Sequence, residues 1–322
     1  MNRAFVIKTI RDARLLLFAC AGTLFAFSWI RIFIVASVEA GRFQKIARNL
    51  PDVVKRLSPV PIDELISYPG LVGFTFEEPM VYLIMAVWTI TRASDSISGE
   101  IGRGSMEMLL AQPISRTKYL LGHSIITICG IAVLAGAAYE GTRVGINNAE
   151  VEVGPSMLRW RVPVFGFKVP VAREKEPRVV PMTTFVHPKQ FRAAAVNYFC
   201  LGFFLSGFTT ALSSIDRFRW RTVGLMVSFY VIQTVIELTG MAVDGFRWLL
   251  NFTFFAAYEP VSFSAKISKD ASYEWRLFNP ESTGVLPDLG PLGCDTALLI
   301  LGLLGFGFAF CAFYRRDLPA PL

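Results

Sequence analysis

Residue types that perform covalent or metal chemistry are scarce in this chain of 322 residues. It has two histidines, His123 and His187, far apart in sequence, and neither Cys-x-x-Cys nor His-Glu-x-x-His occurs. A zinc or copper centre built on the usual ligands is therefore not expected, and no metal-binding residue is assigned. Cys20, Cys129, Cys200 and Cys311 fall within long apolar runs, where a thiol serves as a small packing group. No Gly-x-x-x-x-Gly-Lys-Ser/Thr loop occurs, so the chain does not hydrolyse ATP by that route, and no catalytic residue or bound cofactor is expected. What stands out instead is charge in unusual places. Arg31 and Glu237 interrupt apolar runs, and a stretch rich in glycine and charge occupies residues 98–116.

The elements that position these residues follow from composition. The chain is 53% hydrophobic and 18% charged. Counting Gly and leaving out Tyr gives about 58% apolar, against roughly 45–50% in soluble domains. That surplus cannot all be buried in one globule of this size, so a soluble enzyme is not expected. Crossing about 30 Å of hydrocarbon takes roughly 20 mostly apolar residues. Residues 15–38, 119–139, 193–215 and 222–243 qualify easily, and 296–314 is just long enough. A sixth span at 79–97 is the weakest, because its apolar run stops at Ile90 and Arg92 follows. The first run, 24 residues long, exceeds the roughly 7–15 of a signal-peptide core, so it is expected to remain as a span. The expected fold is an all-α transmembrane six-helix polytopic bundle, a single transmembrane domain over 1–322.

Charge orients it. The N-terminus, the 91–118 and 215–221 loops and the tail hold 13 Lys and Arg against six acids, while the rest of the chain holds 19 of each sign. Short loops with a basic excess face the cytoplasm, which places both termini there. The basic balance is thus an orientation signal in contact with membrane lipid and requires no nucleic acid.

Three extracytoplasmic connections follow. Residues 39–78 carry four prolines and read as a short helix with irregular chain. Residues 140–192 contain Val151-Glu152-Val153, Trp160-Arg161-Val162 and the run 164–169, which alternate with the period of strands and predict a small β-rich insertion. Residues 244–295 open with a thirteen-residue apolar stretch at 246–258, too short to span and suited to a re-entrant or interfacial helix.

Within the spans, Arg31 and Glu237 fall at equal depth, about 23 Å from the cytoplasmic end at 1.5 Å per residue. Equal depth permits a salt bridge, and Gln233, four residues before Glu237, extends the polar stripe. Such a trio either lines a substrate path or locks two helices together. The Gly202, Ser206, Thr210 and Ser214 series, and Gly302, Gly305 and Gly307, read as close helix packing.

In the 98–116 segment Ser105 is placed to cap a helix, Met106, Leu109 and Leu110 share one face, and Pro113 closes it. A short amphipathic helix of this kind suits the membrane surface or a partner's groove. A plain turn accounts for the same residues equally well. The run Gly99-Glu100, Arg103-Gly104-Ser105 and Glu107 through Arg116 resembles the cytoplasmic motif of bacterial ABC transporter permeases of the second export class. The usual form of that motif reads GE..RGT.E.LLAQPISR, and Ser105 for Thr is the main departure.

The resemblance implies a permease in the bacterial cytoplasmic (inner) membrane, paired with a second permease copy and a separate ATP-binding-cassette ATPase that holds ATP and Mg. It implies that 98–116 is the coupling helix segment, with Gly99, Glu100, Arg103, Gly104, Ser105, Glu107, Leu110, Gln112, Pro113 and Arg116 at the ATPase interface. Export is the implied direction. The alternative class is an ion-gradient-driven secondary transporter or channel working through Arg31 and Glu237, although the internal repeats common in that class are not apparent.

Overall fold

Segments that are apolar around their whole circumference must be buried on all sides or meet lipid, and here they form six helices long enough to cross a membrane. The computed structural model describes residues 3–37, 61–110, 115–153, 157–161, 168–173, 178–279 and 288–316. In chain order the helices are α1 (Arg3–Ser37), α2 (Tyr68–Gly73), α3 (Pro79–Ser94), α4 (Met106–Leu110), α5 (Arg116–Asn148), α6 (Arg192–Ile215), α7 (Arg219–Ala242), α8 (Pro260–Lys269) and α9 (Pro291–Arg315). The six expected spans correspond to α1, α3, α5, α6, α7 and α9, and α1 and α5 extend well past their apolar runs. The weakest expected span is α3, which carries Arg92 in its last turn without breaking.

The central helix is α6, packed against α9, α3, α5 and α7. Its close approach to α9 depends on glycine. A Cβ on Gly207 would lie 2.3 Å from the carbonyl oxygen of Gly302, and one on Gly305 would lie 2.7 Å from the Gly207 carbonyl carbon. The hydroxyls of Ser206 and Thr210 donate to carbonyls of their own helix, Phe203 and Ser206, at 2.9 and 2.7 Å. This strip is therefore packing surface, as its spacing indicates. Tyr198 is fully buried, and its hydroxyl donates to the Val81 carbonyl at 2.7 Å, joining α6 to α3.

The start of α1, the start of α5 and the end of α9 meet, with Phe5 and Phe313 both against Tyr119. We call this the basal end. At the opposite, distal end, α2, α8 and the 3-10 turns Phe74–Glu77, Asp244–Phe252 and Phe254–Ala257 form a cap. Tyr258 donates to the Phe76 carbonyl at 2.6 Å, and Val261 N–H donates to Glu77 Oε1 at 3.0 Å. The stretch 246–258 is thus two 3-10 turns rather than one helix, because Thr253 is extended between them (ψ 146°). Helix α8 follows, an element the sequence reading did not separate from the loop.

Helix α5 runs to Asn148, nine residues beyond the expected span, before strands begin. Strands β1 (Glu150–Val153) and β4 (Arg178–Pro181) pair antiparallel, with Glu150 opposite Pro181. Strands β2 (Met157–Arg161) and β3 (Lys168–Arg173) form a second antiparallel ribbon with a bulge between Leu158 and Arg159. The β-rich insertion is thus two separate two-stranded ribbons. Val162 and residues 164–167 of the expected strands lie outside the described residues.

Candidate functional site

Helix α3 does not end at its charges. It widens into a π turn, Asp95–Gly99, continues as the short helix Glu100–Gly102, and reverses at Gly104, which has φ +71°. A left-handed residue here is cheap only for glycine. Serines hold the wide turn: Ser98 N–H donates to Ser213 Oγ at 2.9 Å, and Thr222 Oγ1 donates to Ser98 Oγ at 3.0 Å. The π turn is thereby tied to both α6 and α7.

Below it, a charged clasp closes the motif. Arg103 donates through Nη1 to Asp95 Oδ1 at 2.7 Å and through Nη2 to Glu100 Oε1 at 2.8 Å. The Ser105 hydroxyl donates to the other Glu100 carboxylate oxygen. Arg219, from the start of α7, reaches the same Asp95 oxygen at 3.2 Å. The hydrogen bond to Asp95 raises the Arg103 guanidinium above its ordinary value, so the clasp remains charged. A Cβ on Gly99 would fall 2.5 Å from Asp95 Oδ1, so that glycine makes room for the carboxylate.

After the clasp, α4 docks through Met106, which is buried with Phe5, Ile97, Tyr119 and Leu120. Met108 points outward, 70% exposed. The Ser105 carbonyl accepts from Leu109 N–H at 3.1 Å while the Ser105 hydroxyl turns to Glu100. Glu107 and Leu110 lie in α4 by backbone. Gln112 and Pro113 lie outside the described residues.

Arg116 stands apart from this cluster. It packs over the Phe313 ring and donates to the carbonyls of Phe313, Tyr314 and Arg316 at 3.3, 3.4 and 2.6 Å. These are orphan carbonyls of the α9 C-terminus. Arg316 in turn donates to the carbonyls of Ser214 and Asp216 at 2.7 and 2.9 Å, and burial lowers its guanidinium from the ordinary value. The sequence reading missed Asp95, Arg219 and Arg316, whose only signal was charge beside the motif or at a helix end.

The intramembrane trio is not assembled as expected. Arg31 Nε donates to Glu78 Oε1 at 2.9 Å, with side chains 17% and 23% exposed. Glu237 has no ion-pair partner among the described residues, and its acidic neighbours are Glu259 and Glu77. Gln233 Oε1 accepts from Phe254 N–H at 3.2 Å. Equal depth is necessary for a pair but does not place two helices side by side: α1 packs on α5 and α3, which puts Arg31 beside the residue that starts α3. Among the described residues no group of three His, Cys, Asp or Glu is placed to hold a metal ion.

No curated protein matches the chain. A family model, the ABC-2 family transporter protein, matches residues 6–254, a region that contains all of α2 through α7, all but the first residues of α1, the π turn and the charged clasp. With most of its length inside that match, and six apolar helices to span a bilayer, the chain is a multi-pass membrane protein that belongs to the ABC-2 transporter family.

Proposed function

We propose that the chain is the permease subunit of an ATP-driven exporter, and that 98–116 is the lever through which a separate ATP-binding-cassette ATPase moves the bundle. The basal end faces the cytoplasm in this reading, supported by the basic excess of its short segments. The 140–192 insertion and the 244–295 loop then lie outside. The ATPase carries ATP and Mg, and a second permease copy completes the transporter.

The observation that carries the reading is the clasp of Arg103 across Asp95 and Glu100. A docking element can transmit force only if it is stiff and tied to the spans. Arg103 and Ser105 stiffen the segment, and the serine contacts of the π turn tie it to α6 and α7. A push on the segment therefore tilts helices as rigid bodies. Gly99, Glu100, Gly104, Ser105, Glu107, Leu110, Gln112 and Pro113 form the docking stretch. Within it Glu100 and Arg103 set shape, and the exposed Met108 offers an apolar contact. Arg116 acts behind the interface, holding α9.

The test is Glu100→Ala and Arg103→Ala in the complex purified with its ATPase and reconstituted in nanodiscs. We expect the ATPase to be retained poorly, or its hydrolysis rate to lose dependence on the permease. Unchanged retention and unchanged hydrolysis in both variants would rule out the docking role. The ion-gradient alternative lacks its central feature, because Arg31 pairs with Glu78 and not with Glu237.

A further inference from the structure

Between the start of α1, the end of α3 and the start of α5 lies a narrow cleft, partly open to solvent, with room inside for about one water-sized group. Arg92 lines it, only 5% exposed, and neither its Nε nor its Nη2 has a hydrogen-bond partner. His123 lines it as well, 6% exposed, with Nδ1 also unpartnered. A buried guanidinium without a partner is strongly unfavourable, so the cleft as it stands is incomplete.

Acids also line the cleft, but they are already engaged. Asp95 is held by Arg103 and Arg219, and Glu100 by Arg103 and Ser105. On α1, Lys8 and Asp12 line the cleft one helical turn apart, and the Asp12 charge acts on Arg92 from that side without a hydrogen bond. Counted together, Lys8, Arg92, Arg103 and Arg219 outnumber Asp12, Asp95 and Glu100 by one positive charge, and Arg92 is the buried member whose Nε and Nη2 have no hydrogen bond. The hydroxyl protons of Thr9 and Tyr119 are taken by the carbonyls of Phe5 and Ser96, at 3.0 and 2.8 Å. The missing partner is therefore an acceptor bearing about one negative charge.

Depth points to its source. On α1 the charges Lys8, Arg11, Asp12 and Arg14 precede an apolar run that begins at Leu15, and Arg92 follows the run of α3 that stops at Ile90. The cleft thus sits where hydrocarbon gives way to headgroups. Ile7 and Ile10 flank Lys8 and point outward, an apolar rim beside the opening. So narrow a cleft admits a phosphate oxygen at its mouth and leaves the rest of the headgroup and the acyl chains outside.

We propose that this cleft binds the phosphate of an anionic phospholipid headgroup, with Arg92 as the main donor and Lys8 and Nδ1 of His123 as the others. A phosphodiester carries one negative charge, which matches the single unbalanced cation. Lipid bound there fills the gap between α1, α3 and α5 immediately above the clasp.

The test uses the full chain in detergent, offered an equimolar mixture of palmitoyl-oleoyl phosphatidylglycerol and phosphatidylcholine, with bound lipid counted by native mass spectrometry. Phosphatidylglycerol should be retained preferentially. Arg92→Gln should lower that preference about fivefold or more, as expected for one cation near a charged surface. Lys8→Gln should lower it less, and Arg14→Gln, outside the cleft, should leave it unchanged. Lys8 is exposed, so its variant carries the test if Arg92→Gln fails to fold. Equal preference in wild type, Arg92→Gln and Lys8→Gln would overturn the proposal. So would displacement of the lipid by millimolar inorganic phosphate, which would make the cleft a soluble-anion site. A third contrary result is capture of the ATPase subunit, rather than of lipid, falling with Arg92→Gln.

Discussion

The Arg116 guanidinium donates through Nη1 to the backbone carbonyl of Arg316 at 2.6 Å, and Arg316 donates to the carbonyls of Ser214 and Asp216. Two arginines therefore cap two helix ends in series, linking the first residue of α5 to α9 and α9 to α6. Each cap supplies donors to carbonyls that have no N–H partner of their own, and places positive charge at a helix C-terminus.

Arg116→Ala should consequently destabilise the protein by about 1.5–3 kcal/mol, the usual range for hydrogen bonds to a charged group. Thermal melting of the purified chain reads that loss. ATPase retention should fall less than in Glu100→Ala. A variant that melts like wild type but no longer binds the ATPase would show Arg116 to be an interface residue after all.

Glu78→Gln should leave Arg31 without its carboxylate, half-buried and unpaired. A double-mutant cycle with Arg31→Gln should give a coupling of roughly 1–2 kcal/mol, between the values for exposed and buried pairs. The matching cycle of Arg31→Gln with Glu237→Gln should give a coupling near zero. A larger coupling to Glu237 than to Glu78 would contradict the observed pairing.

Trp88 lies flat against Gly130, where an added Cβ would sit 2.0 Å from Trp88 Cζ2, while the indole N–H donates to the Thr127 carbonyl at 3.1 Å. Gly130→Ala should therefore cost about 1–3 kcal/mol through overpacking. Adding Trp88→Leu should make the alanine nearly neutral. If Gly130→Ala alone melts at the wild-type temperature, α3 and α5 are not packed this closely.

Burial raises the Glu259 carboxyl above its ordinary value of 4.5, against the opposing pulls of Lys266 and Ser262. A raised carboxyl binds its proton more tightly in the folded state than in the unfolded one. Its contribution is then largest at low pH and is lost as pH climbs from about 4.5 to the higher folded value. Glu259→Gln removes that loss. The difference in melting temperature between variant and wild type should grow in the variant's favour from pH 4.5 to neutrality. A constant difference would mean that the carboxyl is not perturbed.

Five helices were legible because bilayer thickness sets a length that composition alone can meet; 79–97, interrupted by Arg92, was legible only through charge, since without it the basic segments at Arg116/Lys118 and Arg217/Arg219/Arg221 would fall on the wrong face. Alternation at Val151-Glu152-Val153 foreshadowed β1, but not its partner β4 at Arg178–Pro181, which was read as loop. Depth along a helix could be counted, but not which helices are neighbours, so Arg31 was matched with Glu237 and its true partner Glu78 was treated as loop. The motif pointed to Glu100 and Arg103 but not to Asp95, eight residues before Arg103, because a π turn brings the two together and has no periodicity of its own. Arg116 belonged to the motif by sequence, yet its contacts are set by where the last turn of α9 happens to end.

The wide turn at Asp95–Gly99 has a mechanical corollary. It holds one residue more than a regular helical turn needs. Letting that surplus slip by one position would swing Glu100 and Arg103 through about 100° and shift them by about 1.5 Å along the axis. A screw motion of that size re-aims the charged tip without melting any spanning segment.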